Sequence, residues 1–251
     1  MSVSAYKNDA KACLKNRILR AFRITLGIAC LAVSGGVAAY YLPQLLGMLT
    51  PDPYSLTAAQ IALLLLLAAV SGSLRQGRAA WLYCSACGKE PSGLQFRYWL
   101  RRGRGFRAAL LFLDIRIRKA AWTAMLCAPG ASIIAGCFRQ DALQSDRIRL
   151  IAGIGGVVSL TAGLTIALII RQKYALAPIL FARSPHKGVR SAVRGSCSLM
   201  EDDCVRLFRL KLSFLPWAAV CLAVLPLVYV VPYYQQAKAC MLRDVLRAHT
   251  I

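Results

Sequence analysis

Five stretches of the chain run without a charged residue: 24–42, 58–74, 120–137, 150–170 and 212–231. At about 1.5 Å per residue in a helix, each approaches the roughly 30 Å of a bilayer hydrocarbon core, so the pattern predicts about five transmembrane helices. Between them the pattern shifts to amphipathic helical spacing. In residues 1–23, Lys7, Lys11 and Lys15 fall on one stripe while Tyr6, Ala10, Leu14 and Phe22 gather on another, predicting a basic helix lying on the membrane surface. A second interfacial helix is predicted around 106–118, where Phe106, Leu110, Leu113 and Ile117 oppose Arg107, Asp114 and Arg118. Residues 175–182 are apolar but too short to cross, and read as an interfacial or re-entrant piece. Val189, Val193, Ser196 and Met200, followed by Leu207 and Phe208, trace a further amphipathic helix that turns at Glu201, Asp202 and Asp203.

The predicted fold is therefore an all-α polytopic transmembrane helix bundle. It comprises a basic amphipathic helix over 1–23 and a single transmembrane domain over 24–251, with two or three interfacial helices. Pro129 and Gly130 predict a kink in the third span. Gly155, Ser159 and Gly163, four apart in the fourth, predict a close helix approach. The first apolar run follows a basic stretch with no small-residue cleavage site, which predicts a retained span rather than a cleaved leader.

Composition agrees with that reading. The 251 residues are 58% hydrophobic and only 17% charged, against about a quarter charged in soluble domains. The formal charge is +22, and its distribution carries more than its size. With five crossings, 26 of the 32 Lys and Arg fall on one side and 6 on the other. Basic loops stay cytoplasmic, so the amino terminus is expected inside, in a cytoplasmic membrane, and the carboxyl terminus outside.

Candidate chemistry is sparse. Cys84 and Cys87 form a CxxC with no second pair, and His186 and His249 lack ligand spacing, so two reduced thiols are expected and no metal or cofactor. Glu201, Asp202 and Asp203 are adjacent, which on a helix does not point carboxylates at one another; they are expected to neutralise Arg194, Arg206 or Arg209. No ionisable residue lies in the five stretches, which argues against an ion-coupled carrier. Arg97, Arg101, Arg102, Arg104 and Arg107, beside Tyr98 and Trp99, read as contacts to anionic lipid headgroups rather than to nucleic acid. No nucleophile, acid–base pair or metal cluster is assembled, so a non-enzymatic protein is expected.

Ser196, Leu199 and Met200, then Leu207, Phe208, Leu210, Leu212, Ser213, Phe214 and Trp217, then Pro232 and Tyr233, resemble the pattern S-x-x-L-M, L-F-x-L-x-L-S-F-x-x-W, P-Y. It is the pattern of a bacterial family of integral membrane proteins catalogued as domain of unknown function 975. Ala10, Lys11, Leu14 and Lys15 are similar to that family's A-K-x-x-L-K opening, Trp122 with Pro129 and Gly130 to its Trp and Pro-Gly kink, and Tyr174 through Pro185 to the segment before S-x-x-L-M. Glu201 to Asp203 depart from the Gly and basic residue usual after Leu-Met, and about forty residues follow Pro-Gly before Tyr174. The resemblance implies a multispanning bacterial membrane protein and supplies no catalytic residue. The functional expectation is a protein whose basic cytoplasmic face contacts lipid or a membrane protein partner; a small-molecule permease or export component is the alternative.

Overall fold

The computed structural model describes residues 3–15, 17–47, 53–91, 93–100, 104–139, 146–220 and 224–249. Among them every regular element is helical: α1 (Val3–Leu14), α2 (Ile18–Gly47), α3 (Pro53–Ala86), α4 (Leu94–Leu100), α5 (Arg104–Arg139), α6 (Asp146–Ile170), α7 (Ala177–Arg183), α8 (Gly188–Leu199), α9 (Cys204–Leu212), α10 (Leu215–Val220) and α11 (Val224–Ala248). Short 3-10 turns at Arg171–Tyr174 and Pro185–Lys187 flank α7. Among the described residues four stretches are long and apolar enough to cross a membrane: Ile18–Ala38, Ile61–Ala86, Arg104–Cys137 and Leu150–Arg183. The all-α bundle expected from the pattern is what the chain forms.

The helices outrun the charge-free stretches that predicted them. α3 is 34 residues long, about 51 Å, and carries Arg75 and Arg78 as a continuation of the second span. α5 unites the expected interfacial helix with the third span and continues through Pro129. The charge-free expectation is corrected accordingly: Arg75 and Arg78 lie within Ile61–Ala86, and Arg116, Arg118 and Lys119 within Arg104–Cys137. Phe106, Leu110, Leu113 and Ile117 are exposed, whereas Ala108, Leu111 and Ile115 pack against Trp99, Phe181 and Val193.

The fifth expected crossing, 212–231, is corrected. Phe214 sits with its ring centroid 5.2 Å from Tyr233 and 5.4 Å from Tyr234, whereas the ends of a helix that crosses stand about 30 Å apart. The chain therefore leaves Phe214 and returns to the same level at Tyr233. The reason lies in α11: Val230, Tyr233, Ala237, Cys240 and Met241 recur at helical spacing and are buried, so this helix follows a protein-facing stripe. Residues 221–223 lie outside the described ones.

The placement of the carboxyl terminus changes with it. α1 buries Tyr6, Ala10 and Leu14 in one core with Ala237, Met241 and Val245, and Asp9 pairs with Arg243 at 3.2 Å. Residues in contact cannot lie on opposite faces of a bilayer, so the tail shares the side of α1, as four crossings require. The helix expected over 1–23 ends at Leu14, and its apolar stripe meets protein instead of lipid because α11 offers a matching face. Segments 1–23, 75–119, 171–211 and 232–251 now carry 29 of the 32 basic residues; the end of the bundle where their described parts gather is called the basic end below.

α5 and α6 touch main chain to main chain. A Cβ on Gly130 would come 2.5 Å from the Leu160 nitrogen, one on Gly156 2.8 Å from Ile134, and one on Gly163 would strike the Leu126 carbonyl. The expected stripe is shifted by one residue at its start, since nothing approaches Gly155.

Candidate functional site

The family-type motif residues converge at the basic end, mostly as structure. Ser196 is buried; its hydroxyl donates to the Lys173 carbonyl at 2.6 Å and accepts from the Leu176 amide at 3.2 Å, tying α8 to the turn before α7. Met200, Leu207 and Leu210 are fully buried with Tyr6 and Met241. Leu199 and Phe208 are half-buried, Leu212 is exposed, and Pro232 and Tyr233 are buried. Ser213 accepts from Lys7 Nζ at its carbonyl, 3.2 Å away. That ammonium also lies 4.8 Å from the Phe214 ring centroid. Trp217 is exposed and shares a groove with Lys7, Lys11 and Tyr229. Trp122 and Tyr174, both in family-type positions, meet through an indole N–H donating to the phenol oxygen at 3.0 Å.

The arginines expected to meet headgroups divide. Arg104 and Arg107 line a cavity of about 400 Å³ with Tyr98, Trp99, Phe181, Pro185 and His186. The Arg104 guanidinium stands over Tyr98, 4.0 Å from its centroid, while Trp99 leans on Phe181 at 5.4 Å. A planar cation over an aromatic face leaves its N–H groups free for an anion. Arg97 is exposed on α4 and lines no part of this groove; Arg101 and Arg102 lie outside the described residues.

The acidic turn behaves largely as expected. Asp203 pairs with Arg206 at 3.3 Å, and Glu201 with Lys173 at 3.8 Å, a partner the sequence did not single out. Arg206 also donates to the Tyr6 phenol at 2.6 Å, fastening α1 over the turn. Cys84 and Cys87 are free thiols, with Cys84 Sγ accepting from Gln95 at 3.0 Å. Among the described residues no group of three His, Cys, Asp or Glu could hold a metal.

Sequence reasoning missed a second basic cavity, of about 310 Å³, where α3, α5, α7 and α11 meet. Arg75 and Arg78 face it from α3, and Tyr234 and Lys238 from α11. Burial holds the Lys238 ammonium down at about 7, aided by repulsion from Lys211, Lys119 and Arg78. Burial likewise pushes the Tyr234 phenol up to about 12, so it remains an O–H donor. Lys211 is lowered by burial and by Arg171. The available signal was spacing: Arg75, Arg78 and Leu82 form one helical stripe, and Tyr234, Lys238 and Leu242 another.

No curated protein and no solved structure matches the chain. A family model described as protein of unknown function (DUF975) matches residues 120–249, from the middle of α5 to the end of the chain's last helix and thus just over half of the sequence, and the chain belongs to that family.

Proposed function

We propose that this chain is a non-enzymatic membrane protein of the bacterial cytoplasmic membrane, amino terminus inside, whose basic end contacts anionic lipid headgroups or a membrane protein partner. The observation that carries the reading is the groove in which Arg104 and Arg107 stand among Tyr98, Trp99 and Phe181. Aromatic rings favour the headgroup level, and each basic residue near an anionic surface contributes about 1 kcal/mol. The 27 described basic residues of the segments that gather at the same end add a longer-range attraction. The permease reading has less support, because Gly130 and Gly163 bring α5 and α6 together too closely for a path between them.

The test is thermal melting of the purified protein in a neutral detergent, with phosphatidylglycerol or phosphatidylcholine added at low salt. Phosphatidylglycerol is expected to raise the midpoint by several degrees. Arg104→Gln combined with Arg107→Gln should remove about half of that rise, and high salt should remove most of it. Equal stabilisation by the neutral and the anionic lipid would overturn the lipid contact.

A further inference from the structure

The cavity between α3 and α11 gathers cations that have no visible reason to be together. Among the described residues Arg75, Arg78 and Lys238 form no ion pair or side-chain hydrogen bond with protein, and the groups that act on Lys238 are Lys211, Lys119 and Arg78, all positive. Like charges packed in a partly buried space cost free energy unless a counter-charge fills it. The walls are firm: Gln76, lying between the two arginines in sequence, donates to the Pro178 carbonyl at 2.6 Å and locks α7 onto α3. Phe112 and Ile179 line the cavity with apolar surface beside these charges, which strengthens charge interactions next to it.

We propose that this cavity binds one phosphate-bearing anion, supplied either as the headgroup of an anionic phospholipid or as inorganic phosphate. Two guanidiniums three residues apart on one helix offer fork-shaped donors to phosphate oxygens. Lys238 brings a point charge from the facing helix, and the Tyr234 hydroxyl a neutral donor one helical turn away. The volume of about 310 Å³ falls in the range of small-ligand sites, about 300–1,000 Å³. A bound anion also accounts for a lysine held near neutrality in its absence: the ligand's charge restores the protonated form, so binding and proton uptake are linked. This site is separate from the Arg104 groove, and the inference stands whether or not that groove meets lipid.

The experiment uses the full-length protein in neutral detergent at about 500 mM salt, where exposed charges are screened. One arm adds phosphatidylglycerol and counts retained lipids by native mass spectrometry. The other follows radiolabelled inorganic phosphate by equilibrium dialysis. One ligand per chain is expected in at least one arm; lipid retention with no phosphate binding identifies a lipid site, and saturable phosphate binding identifies a free-anion site. Arg78→Gln and Lys238→Gln should each weaken binding at least tenfold, whereas Lys238→Arg should keep most of it. The Arg104→Gln, Arg107→Gln double variant should leave this stoichiometric binding unchanged while losing about half of the low-salt lipid stabilisation, which separates the two sites. Melting curves confirm that each variant is folded. Absence of stoichiometric binding in both arms, or binding indifferent to Arg78 and Lys238, would overturn the proposal.

Discussion

At the basic end, Met200, Leu207, Leu210 and Met241 are fully buried in a core shared by α1, α9 and α11. Along α6, by contrast, Leu150, Ile151, Ile154, Val157 and Val158 stand exposed, and the helix meets α5 through Gly130, Gly156 and Gly163. The difference follows from the solvent each region meets. Where water is the alternative, burying an apolar side chain is the main driving force, and short amphipathic helices assemble around a core. Where lipid is the alternative, an exposed leucine costs nothing, and helices associate by close backbone approach. One chain thus folds by two rules, and its candidate sites lie where the regions join.

The sharpest way to break this comparison is to truncate a leucine in each region. Leu207→Ala should cost about 2–5 kcal/mol, since it opens a cavity in a fully packed core. Leu113→Ala, at a position 52% exposed on α5, should change stability by no more than about 0.5 kcal/mol. Denaturant titration in micelles measures both. Equal losses would mean that Leu113 is also packed and that the exposed face of α5 is not a lipid face.

A smaller effect distinguishes the glycines. Gly163→Ala drives a methyl into the Leu126 carbonyl, an obstacle that cannot rotate away, and should cost about 1–3 kcal/mol. Gly155→Ala meets nothing and should gain about 0.5–1 kcal/mol from better helix propensity. Melting temperatures of the two variants should therefore move in opposite directions; a shared direction would place the α5–α6 contact on the stripe first read from the sequence.

How much of this was legible depends on what each residue faces. Charge-free runs located four spans because lipid accepts any apolar sequence and makes a charge at its centre costly, so the signal is compositional. The same signal misread 212–231, whose length fits a crossing while Phe214 and Tyr233 pack against each other. Nothing in a hydropathy pattern says that two ends of a run will meet. The motif around Ser196 was legible as a family mark, yet its residues are mainly internal fasteners, as the Ser196 hydroxyl shows. Arg104 and Arg107 were legible as a cluster because they adjoin in sequence. Arg78 and Lys238 are 160 positions apart and become one feature only when α11 folds back beside α3.

That last pair gives the finest test of the boundary between the two regions. In buffer free of phosphate and anionic lipid, Lys238 faces Arg75 and Arg78 from α3, Lys119 from α5 and Lys211 from α9, with Tyr234 on its own helix held protonated. Its folded value lies near 7, below the ordinary 10.5. Below pH 7 both folded and unfolded chains carry the proton, and the full cost of a crowded charge is present. Between pH 7 and 10.5 the folded chain sheds a proton that the unfolded chain keeps, so the contribution of this group to stability rises with pH. Lys238→Met should therefore stabilise the protein most near pH 6 and progressively less toward pH 10, read as the difference in melting midpoint between variant and parent at each pH. A gain independent of pH would show that Lys238 reaches water and that the cavity belongs to the solvated side of the comparison.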